Sequence, residues 1–417
     1  MFWLLPAALV LAGIIFAVAA VAIDRSGILP KWLLEAWLYN GGGTGARTLL
    51  GAIASSTIGV AGTVFSIMVA ALSLAAGQMG PRLLRNFTRD RGNQIALGIF
   101  LGTFAYALIV LRTVRTTGEG EFVPHLSLTV AIGLALVCVG TLVYFIHHMS
   151  GRINVSTVID LVSEDVRAAI GRFADRDEPI EPPPNELWRN AHEIRDRRYG
   201  YLQHVDDVGL ADYAHEENIC IRLLVRPGHY VFPGAPLAVS TRCVDGIDEA
   251  IKNATALGTT QLSDSELEFS IRQLVEVAVR ALSPGINDPY TAIAAIDRLG
   301  SGLCEIAGRH LPTNVFCREG RVVLVIPAVD YEGLVAASFD MIRQNAGGQP
   351  AIFMHLIDVL TKIADCEAHP ARKAALKRYG KLILLDADRT IANPSDLDRF
   401  HERYSLFQGV LDGAAQS

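Results

Sequence analysis

The first 150 residues alternate between long apolar stretches and short polar loops, and the longest apolar stretch covers residues 48–77. It contains no charged side chain. A helical span needs roughly 20 apolar residues, so this stretch predicts a membrane helix with some tilt. Small and weakly polar residues recur in it at steps of three or four, which places them on one helix face. This stripe consists of Ser55, Gly59, Gly62, Ser66, Ala70, Ser73 and Gly77.

The stripe has two interpretations. Small residues let two membrane helices approach closely, so the stripe is typical of a helix–helix interface. The same residues can instead face water and line a pathway across the membrane. Both interpretations hold together if the stripe faces the axis of an oligomer.

Three further apolar stretches predict three more membrane helices, at residues 2–23, about 94–114 and about 126–149. The third span carries Gly98 and Gly102 at the spacing that favours close helix packing. The glycine-rich stretch at 40–48 precedes the second span and is interpreted as a flexible turn. Residues 1–150 therefore form a four-span transmembrane domain.

Composition agrees with a membrane protein. The chain is 51% hydrophobic with a mean hydropathy of +0.31, which is too apolar for an ordinary soluble protein of this size. Residues 1–150 carry nine basic and five acidic residues, whereas residues 151–417 carry 28 and 38. This acidic second part argues against nucleic-acid binding. The six cysteines form no C-x-x-C pair, which indicates reduced, intracellular thiols.

Charge also predicts the orientation. The loop at 78–93 holds Arg82, Arg85, Arg89 and Arg91 against Asp90 alone, so the positive-inside rule places it in the cytoplasm. With four spans, the amino terminus and everything after residue 150 are then cytoplasmic as well.

The part after residue 150 predicts a mixed fold. Apolar residues at helical spacing over 155–170 indicate a stalk, and the charged, proline-rich stretch at 175–186 indicates a linker, so 151–198 is assigned to stalk and linker. Strand patterns over 199–240 and a hairpin at 313–327 predict one modest sheet. Helices are predicted at 244–257, 266–282, 288–309, 331–344, 350–366, 370–384 and 395–410. Residues 199–417 therefore form a cytoplasmic α+β domain.

A sharp turn separates two of these helices. Ser283, Pro284 and Gly285 stop the first helix, and Asp288 followed by Pro289 is the preferred start of the next. The polar pair Asn287 and Asp288 is interpreted first as a helix cap. The alternative is that the turn at Gly285–Asp288 binds a small anion or a neighbouring subunit, although the charge of Asp288 opposes an anion.

No motif indicates an enzyme. The chain lacks G-x-S-x-G, H-E-x-x-H and a nucleotide-binding loop. His147 and His148 are adjacent and point about 100° apart on a helix, so they indicate the membrane boundary and not a metal site. We therefore expect no catalytic residue, no metal and no cofactor.

The charges around the spans indicate which kind of ion could cross the membrane. No Asp, Glu, Lys or Arg lies near the middle of any span, which argues against coupled pumps and carriers. Basic residues flank the spans on both sides, namely Arg47, Arg112 and Arg115 outside and Arg82, Arg85 and Arg89 inside. Positive mouths favour anions if a pathway exists. Ordinary topology anchoring explains the inner cluster fully and the outer cluster only in part.

The order of segments resembles a bacterial family of predicted membrane proteins that is classed as a domain of unknown function. The matching stretches are FSIMVAALSLAAGQMGPRLL (65–84), LGIFLGTFAYALIVLRTV (97–114), GYLQHVD (200–206), RPGHYVFPGAPLA (226–238) and IRQLVEVAVRALSPGINDPYTA (271–292). The resemblance implies the order of the fold and the topology. It implies no activity.

These patterns predict an integral protein of the bacterial inner membrane that contacts the lipid bilayer and other copies of itself. The favoured function is a homo-oligomeric channel or channel-like transporter for a small inorganic ion, with a cytoplasmic domain that assembles or gates it. The alternative is a membrane-anchored scaffold or sensor without transport. An enzyme ranks last, because no catalytic constellation is present.

Overall fold

The computed structural model divides into two compact units, Met1–Val158 and Ile159–Ser417. It describes seven segments of the chain: residues 3–26, 42–79, 90–115, 122–152, 155–173, 180–259 and 267–413.

The first unit is a bundle of four apolar helices. Each is long and apolar enough to cross a membrane, which confirms the predicted membrane domain. The helices are α1 (Leu4–Ser26), α2 (Gly43–Met79), α3 (Arg91–Thr113) and α4 (His125–Arg152). The interpretation of residues 40–48 as a flexible turn is wrong from Gly43 onward, because Ala46 is fully buried against the other helices and holds this part of the chain in α2.

Helix α3 lies at the centre of the bundle and contacts the other three helices. In the most apolar 18 residues of α3, 56% of the residues are buried, whereas the corresponding share in the other three helices is 22–33%. Gly98 and Gly102 let α1 approach α3 closely: a Cβ at Gly102 would lie 2.9 Å from the carbonyl oxygen of Leu9. The glycine spacing of the third span therefore marks a helix contact within the chain, as predicted.

A partly buried polar contact ties three helices together at one end of the bundle. The Asp24 carboxylate of α1 accepts hydrogen bonds from the backbone amides of Leu126 and Ser127, each at 3.0 Å, and from the Ser127 hydroxyl at 2.7 Å. The Tyr106 hydroxyl of α3 donates to the Ser127 carbonyl at 3.0 Å. Asp24 thus caps the first turn of α4 from another helix. We call this end of the bundle the Asp24 end.

The second unit is α+β, as predicted, and its described residues form two sheets instead of the single sheet predicted from the sequence. Its strands are β1 (His192–Arg195), β2 (Gly200–Val205), β3 (Ile221–Leu223), β4 (Tyr230–Val231), β5 (Pro236–Ser240), β6 (Thr255–Gly258), β7 (Val315–Arg318) and β8 (Arg321–Val325). One sheet has the order β1-β5-β3-β8-β7 and the other β4-β2-β6. All pairs are antiparallel except β3–β8.

The helices of the second unit include all those predicted, but two differ in length from the prediction, and the one predicted at 370–384 continues to Thr390. They are α5 (Val155–Phe173), which begins within the first unit, α6 (Asp207–Glu216), α7 (Ile247–Ala254), α8 (Leu267–Ala281), α9 (Pro289–Ile306), α10 (Tyr331–Asn345), α11 (Pro350–Cys366), α12 (Pro370–Thr390) and α13 (Pro394–Leu411). The helix predicted at 244–257 ends at Ala254, because Thr255–Gly258 pairs with β2 and forms β6.

Helix α5 packs on the second unit from Ile159 onward. Its buried face contains Ile159, Val162, Val166 and Ile170, the positions at which the helical spacing is predicted. A Cβ at Gly302 of α9 would lie 3.2 Å from Val166. Arg298 of α9 also pairs with Asp160 at 2.9 Å. The stalk is therefore attached to α9, and β1 also falls within the segment 151–198.

Replacement of Asp24 tests the polar contact at the Asp24 end. Asp24→Ala leaves the first amides of α4 without their acceptor, and we expect a loss of about 1 kcal/mol, or about 2–4 °C in apparent Tm. The control is Ser26→Ala, whose exposed hydroxyl bonds only to the Ile23 carbonyl of its own helix. Thermal unfolding of the full chain in detergent measures both. Equal Tm values for the two variants would contradict the assigned role of Asp24.

Candidate functional site

The stripe of small residues on α2 faces away from the other three helices. Six of its seven residues have described surroundings, and all six are exposed: Ser55, Gly59, Gly62, Ser66, Ala70 and Ser73. The opposite face of α2 is buried and contains Ile53, Ala54, Thr57, Ala61, Val64, Met68 and Ala71. Gly77 belongs to the same helix, and its surroundings lie outside the described part. Periodicity therefore identifies a face of α2 that the chain's own spans leave uncovered.

The glycines of the stripe differ from those of α3. A Cβ at Gly59 or Gly62 would have no atom within 4 Å, whereas Gly98 and Gly102 lie against Leu9 of α1. Small residues in α3 thus serve contact within the chain. In the described residues, the stripe serves no such contact, so packing against the same chain's spans does not explain it.

The hydroxyl groups on this face bond to their own helix. Ser55 donates to the Gly51 carbonyl at 2.9 Å, Ser66 donates to the Gly62 carbonyl at 2.9 Å, and the neighbouring Thr63 donates to the Gly59 carbonyl at 3.1 Å. These bonds satisfy each hydroxyl proton without a partner outside the helix. The hydroxyl oxygens keep acceptor capacity that can be offered to water or to another chain.

Three of the predicted mouth arginines lie at the Asp24 end. Arg47 is in the first turns of α2, Arg112 is in the last turn of α3, and Arg115 follows α3 in a short bridge with Phe122. All three are exposed. Among the described residues, none of them pairs with a carboxylate. Arg82 and Arg85 lie outside the described residues.

A histidine–aspartate pair joins two helices at the other end of the bundle. His148 Nε2 lies 2.7 Å from Asp90 Oδ2, and the Asp90 side chain is only 7% exposed. Asp90 also caps α3 by accepting from the Gly92 amide at 3.0 Å, and the Tyr144 ring stacks on His148. From the sequence, His148 is predicted only to mark the membrane boundary. The contact spans 58 residues, so no local pattern indicates it.

The turn between α8 and α9 is a capped corner. Asn287 adopts a left-handed conformation with φ of 49°, which asparagine tolerates better than most residues. The Asp288 carboxylate accepts from the Thr291 amide at 3.2 Å and from its hydroxyl at 2.6 Å. Gln349 donates to Asn287 Oδ1 at 3.3 Å, and Gly285 has open space around it. Asp288 thus already occupies the N-terminus of α9, where an anion would bind.

Hydrogen bonds at this corner affect the titration of Asp288. The Thr291 hydroxyl, followed by the backbone amides of Thr291 and Tyr290, lowers the pKa of Asp288, while burial opposes the shift.

In the residues that the structure describes, no group of three or more His, Cys, Asp or Glu is arranged to hold a metal ion.

Replacement of Asp288 tests the capped corner and its pH dependence. We expect Asp288→Ala to cost about 1 kcal/mol at pH 7, with Asp398→Ala on the exposed side of α13 as control. Because the folded pKa is depressed, the carboxylate stabilises the fold above the unfolded pKa of about 3.9. This contribution is lost as the pH falls through the folded pKa, so the gap between wild type and variant shrinks below about pH 4. Unfolding curves at several pH values measure it, and a gap that widens in acid would contradict the assignment.

Comparison with known proteins shows what the chain is similar to. A family model described as "Predicted membrane protein (DUF2254)" matches residues 1–362. Uncharacterized proteins of Mycobacterium tuberculosis (strains CDC 1551 and H37Rv) and Mycobacterium bovis are each 30% identical over 408 aligned positions, which cover 94% of this chain and 77% of the relative. No solved structure matches. The chain therefore belongs to the DUF2254 family of predicted membrane proteins.

Proposed function

We propose that the protein is a homo-oligomeric channel or channel-like transporter of the bacterial inner membrane, in which the stripe of α2 faces the oligomer axis. The proposed role is not enzymatic. The amino terminus and the second unit lie in the cytoplasm, where the second unit assembles or gates the pathway. The basic loop at 78–93 supports this orientation.

The uncovered face of α2 carries the proposal. Small residues in membrane helices normally lie where another backbone approaches. Gly98 and Gly102 of α3 follow that rule within the chain, whereas Gly59 and Gly62 of α2 have open space. A helix from a second copy of the chain supplies the missing neighbour.

Polar atoms on this face favour an axis over lipid. The hydroxyl oxygens of Ser55 and Ser66 lie on the exposed face, and lipid tails offer them no hydrogen bond. Around a symmetry axis, the same oxygens contact water. Since no ionisable residue lies near the middle of any span, the proposed pathway conducts passively.

Charge at the Asp24 end supports an anion preference. Arg47, Arg112 and Arg115 are exposed there without a carboxylate partner among the described residues. Repetition of these arginines around an axis places a ring of positive charge at one mouth, as in anion-selective pores. A small inorganic anion is therefore the proposed permeant species.

A membrane-anchored scaffold or sensor is the second candidate. One observation favours it: the corner at Asn287 displays Tyr290, which is 82% exposed, beside Ile286, which is 42% exposed. Such apolar side chains suit a docking surface for a partner protein. In this case the spans only anchor the chain.

Ion flux through the full chain in liposomes separates the two candidates. Chloride and potassium gradients are tested separately, and the account predicts flux of chloride. Gly62→Leu and Ser66→Leu place a bulky side chain on the stripe, and we expect a reduction in flux of about tenfold or more. Gly140→Leu on α4 is the matched control, because Gly140 is also exposed with open space around it.

Oligomeric state is measured on the same samples by chemical cross-linking. Reduced flux with an intact oligomer supports a pore. Loss of assembly in the stripe variants identifies the stripe as a packing interface only. Absence of flux in both gradients, from protein shown to be folded and oligomeric, would contradict the channel and favour the scaffold or sensor.

A further inference from the structure

The second unit contains a cavity of about 380 Å³ that the channel proposal does not use. On one side it is lined by β2, the turn that precedes β4, and the first turn of α8. The β7–β8 hairpin and the residues next to it line the other side, within 311–316 and 326–329. Its volume is in the range of small-molecule sites, which is roughly 300–1,000 Å³. Two stretches that carry the family resemblance meet here, since GYLQHVD contributes Gln203 and His204 and RPGHYVFPGAPLA contributes Arg226 and Pro227.

One part of the cavity wall is apolar. Leu267, Leu311, Phe316, Ile326 and Val329 provide aliphatic and aromatic surface. Leu267 and Ile326 are buried, and the other three are half-buried, so the wall is held by the core of the unit. This surface fits the hydrocarbon body of a ligand.

A charged cluster forms another part of the wall. The Glu268 carboxylate accepts from Arg226 through Oε2 and from Arg272 through Oε1. Glu268 is only 8% exposed, and its two oxygens are both engaged by guanidinium groups. Two guanidinium groups against one carboxylate leave one positive charge in excess.

Arg226 offers that charge to the cavity. Its Nη2 donates to Glu268, and its Nε donates to His229 Nε2 at 3.0 Å. Among the described residues, its Nη1 has no acceptor. Burial and the charge of Arg226 lower the pKa of His229, so this imidazole is a neutral acceptor at pH 7 and adds no charge. The guanidinium is thus held in position with one nitrogen free for a ligand.

The other polar side chains that line the cavity are those of Gln203, His204, Asp207 and Asn314. The imidazole of His204 and the side-chain amide of Asn314 have no hydrogen-bond partner in the described part of the chain. Asp207 also lines the cavity, and its Oδ1 accepts from the Val208 amide. The acidic Asp207 side of the cavity disfavours an anion, which assigns the anionic group of a ligand to the Arg226 side.

We propose that this cavity binds a small organic acid, with the carboxylate on Arg226 and the hydrocarbon body against Phe316 and its apolar neighbours. The site is a ligand input of the second unit. It does not depend on the spans forming a channel, since a membrane-anchored sensor would use the same site.

Isothermal titration calorimetry on the full chain in detergent tests the site. The probes are 3-phenylpropionate and the neutral 3-phenylpropionamide, which share a body and differ in charge. A charge-assisted hydrogen bond favours the acid, and we expect it to bind at least about tenfold more tightly than the amide.

Two variants test the geometry. Ala328→Trp places a bulky ring in the cavity wall and leaves the residues of the charged cluster unchanged, and we expect it to weaken binding of the acid at least about tenfold. Ala351→Trp, at an exposed position of α11, is the matched control and should bind like wild type. The double variant Arg226→Leu/Glu268→Leu removes the buried pair together, so that neither partner is left buried without the other. Arg272 then loses Glu268 as its partner, but its side chain is 39% exposed and is solvated. It should bind the acid and the amide within about twofold of each other, because the charged donor is gone.

Three results would overturn the proposal. They are equal binding of acid and amide by wild type, unchanged binding of the acid by Ala328→Trp, and no binding of either probe at millimolar concentration. None of them bears on ion flux, so failure of this site and failure of the channel are distinguished.

Discussion

The hydrocarbon core of a bilayer offers no hydrogen-bond partner to protein, and this constraint governs the first unit. Each polar group within the bundle needs a partner from the chain, and helices must associate through packing and polar contacts instead of through the hydrophobic effect. Helix α3 supplies contacts of both kinds, although the buried side chain of Asn93 in its first turn has no hydrogen-bond partner among the described residues. Its glycines let α1 approach, and Asp90 at its start holds α4 through His148. Asp24 and Tyr106 complete the contacts with α4 at the other end.

The same constraint gives meaning to the uncovered face of α2. The small residues of α2 and those of α3 have different surroundings. Gly98 and Gly102 of α3 lie against Leu9 of α1. The glycines of the stripe have open space around them, and the serines of the stripe expose their hydroxyl oxygens on the same face. Under the proposal, a second copy of the chain covers this face, and an oligomer axis supplies both protein and water. The arginines at the Asp24 end then lie where a permeant anion would enter.

Much of the fold and the position of the stripe could be predicted from the sequence, because the length of an apolar stretch and the spacing of residues on a helix are local properties. The four spans, the cap at Asp288 and the buried face of α5 followed from such patterns. Strands β1 and β6 did not, since four residues carry little pattern and their partners are distant in the chain. Spacing placed Ser66 and Gly62 on one face of α2, but only the packed bundle shows that α3 covers the other face. The contacts of Asp24 with Ser127 and of Asp90 with His148 have no local signal.

Water accessibility of the stripe tests the central claim most directly. Ser66→Cys and Gly140→Cys are prepared separately in a chain whose six native cysteines are replaced. Both are exposed to a charged, membrane-impermeant thiol reagent in liposomes. The account predicts that the cysteine at 66 reacts, because it faces a water-filled axis, and that the cysteine at 140 does not, because it faces lipid. A cysteine at 66 that stays unreactive, like the one at 140, would show a dry stripe and contradict the pathway.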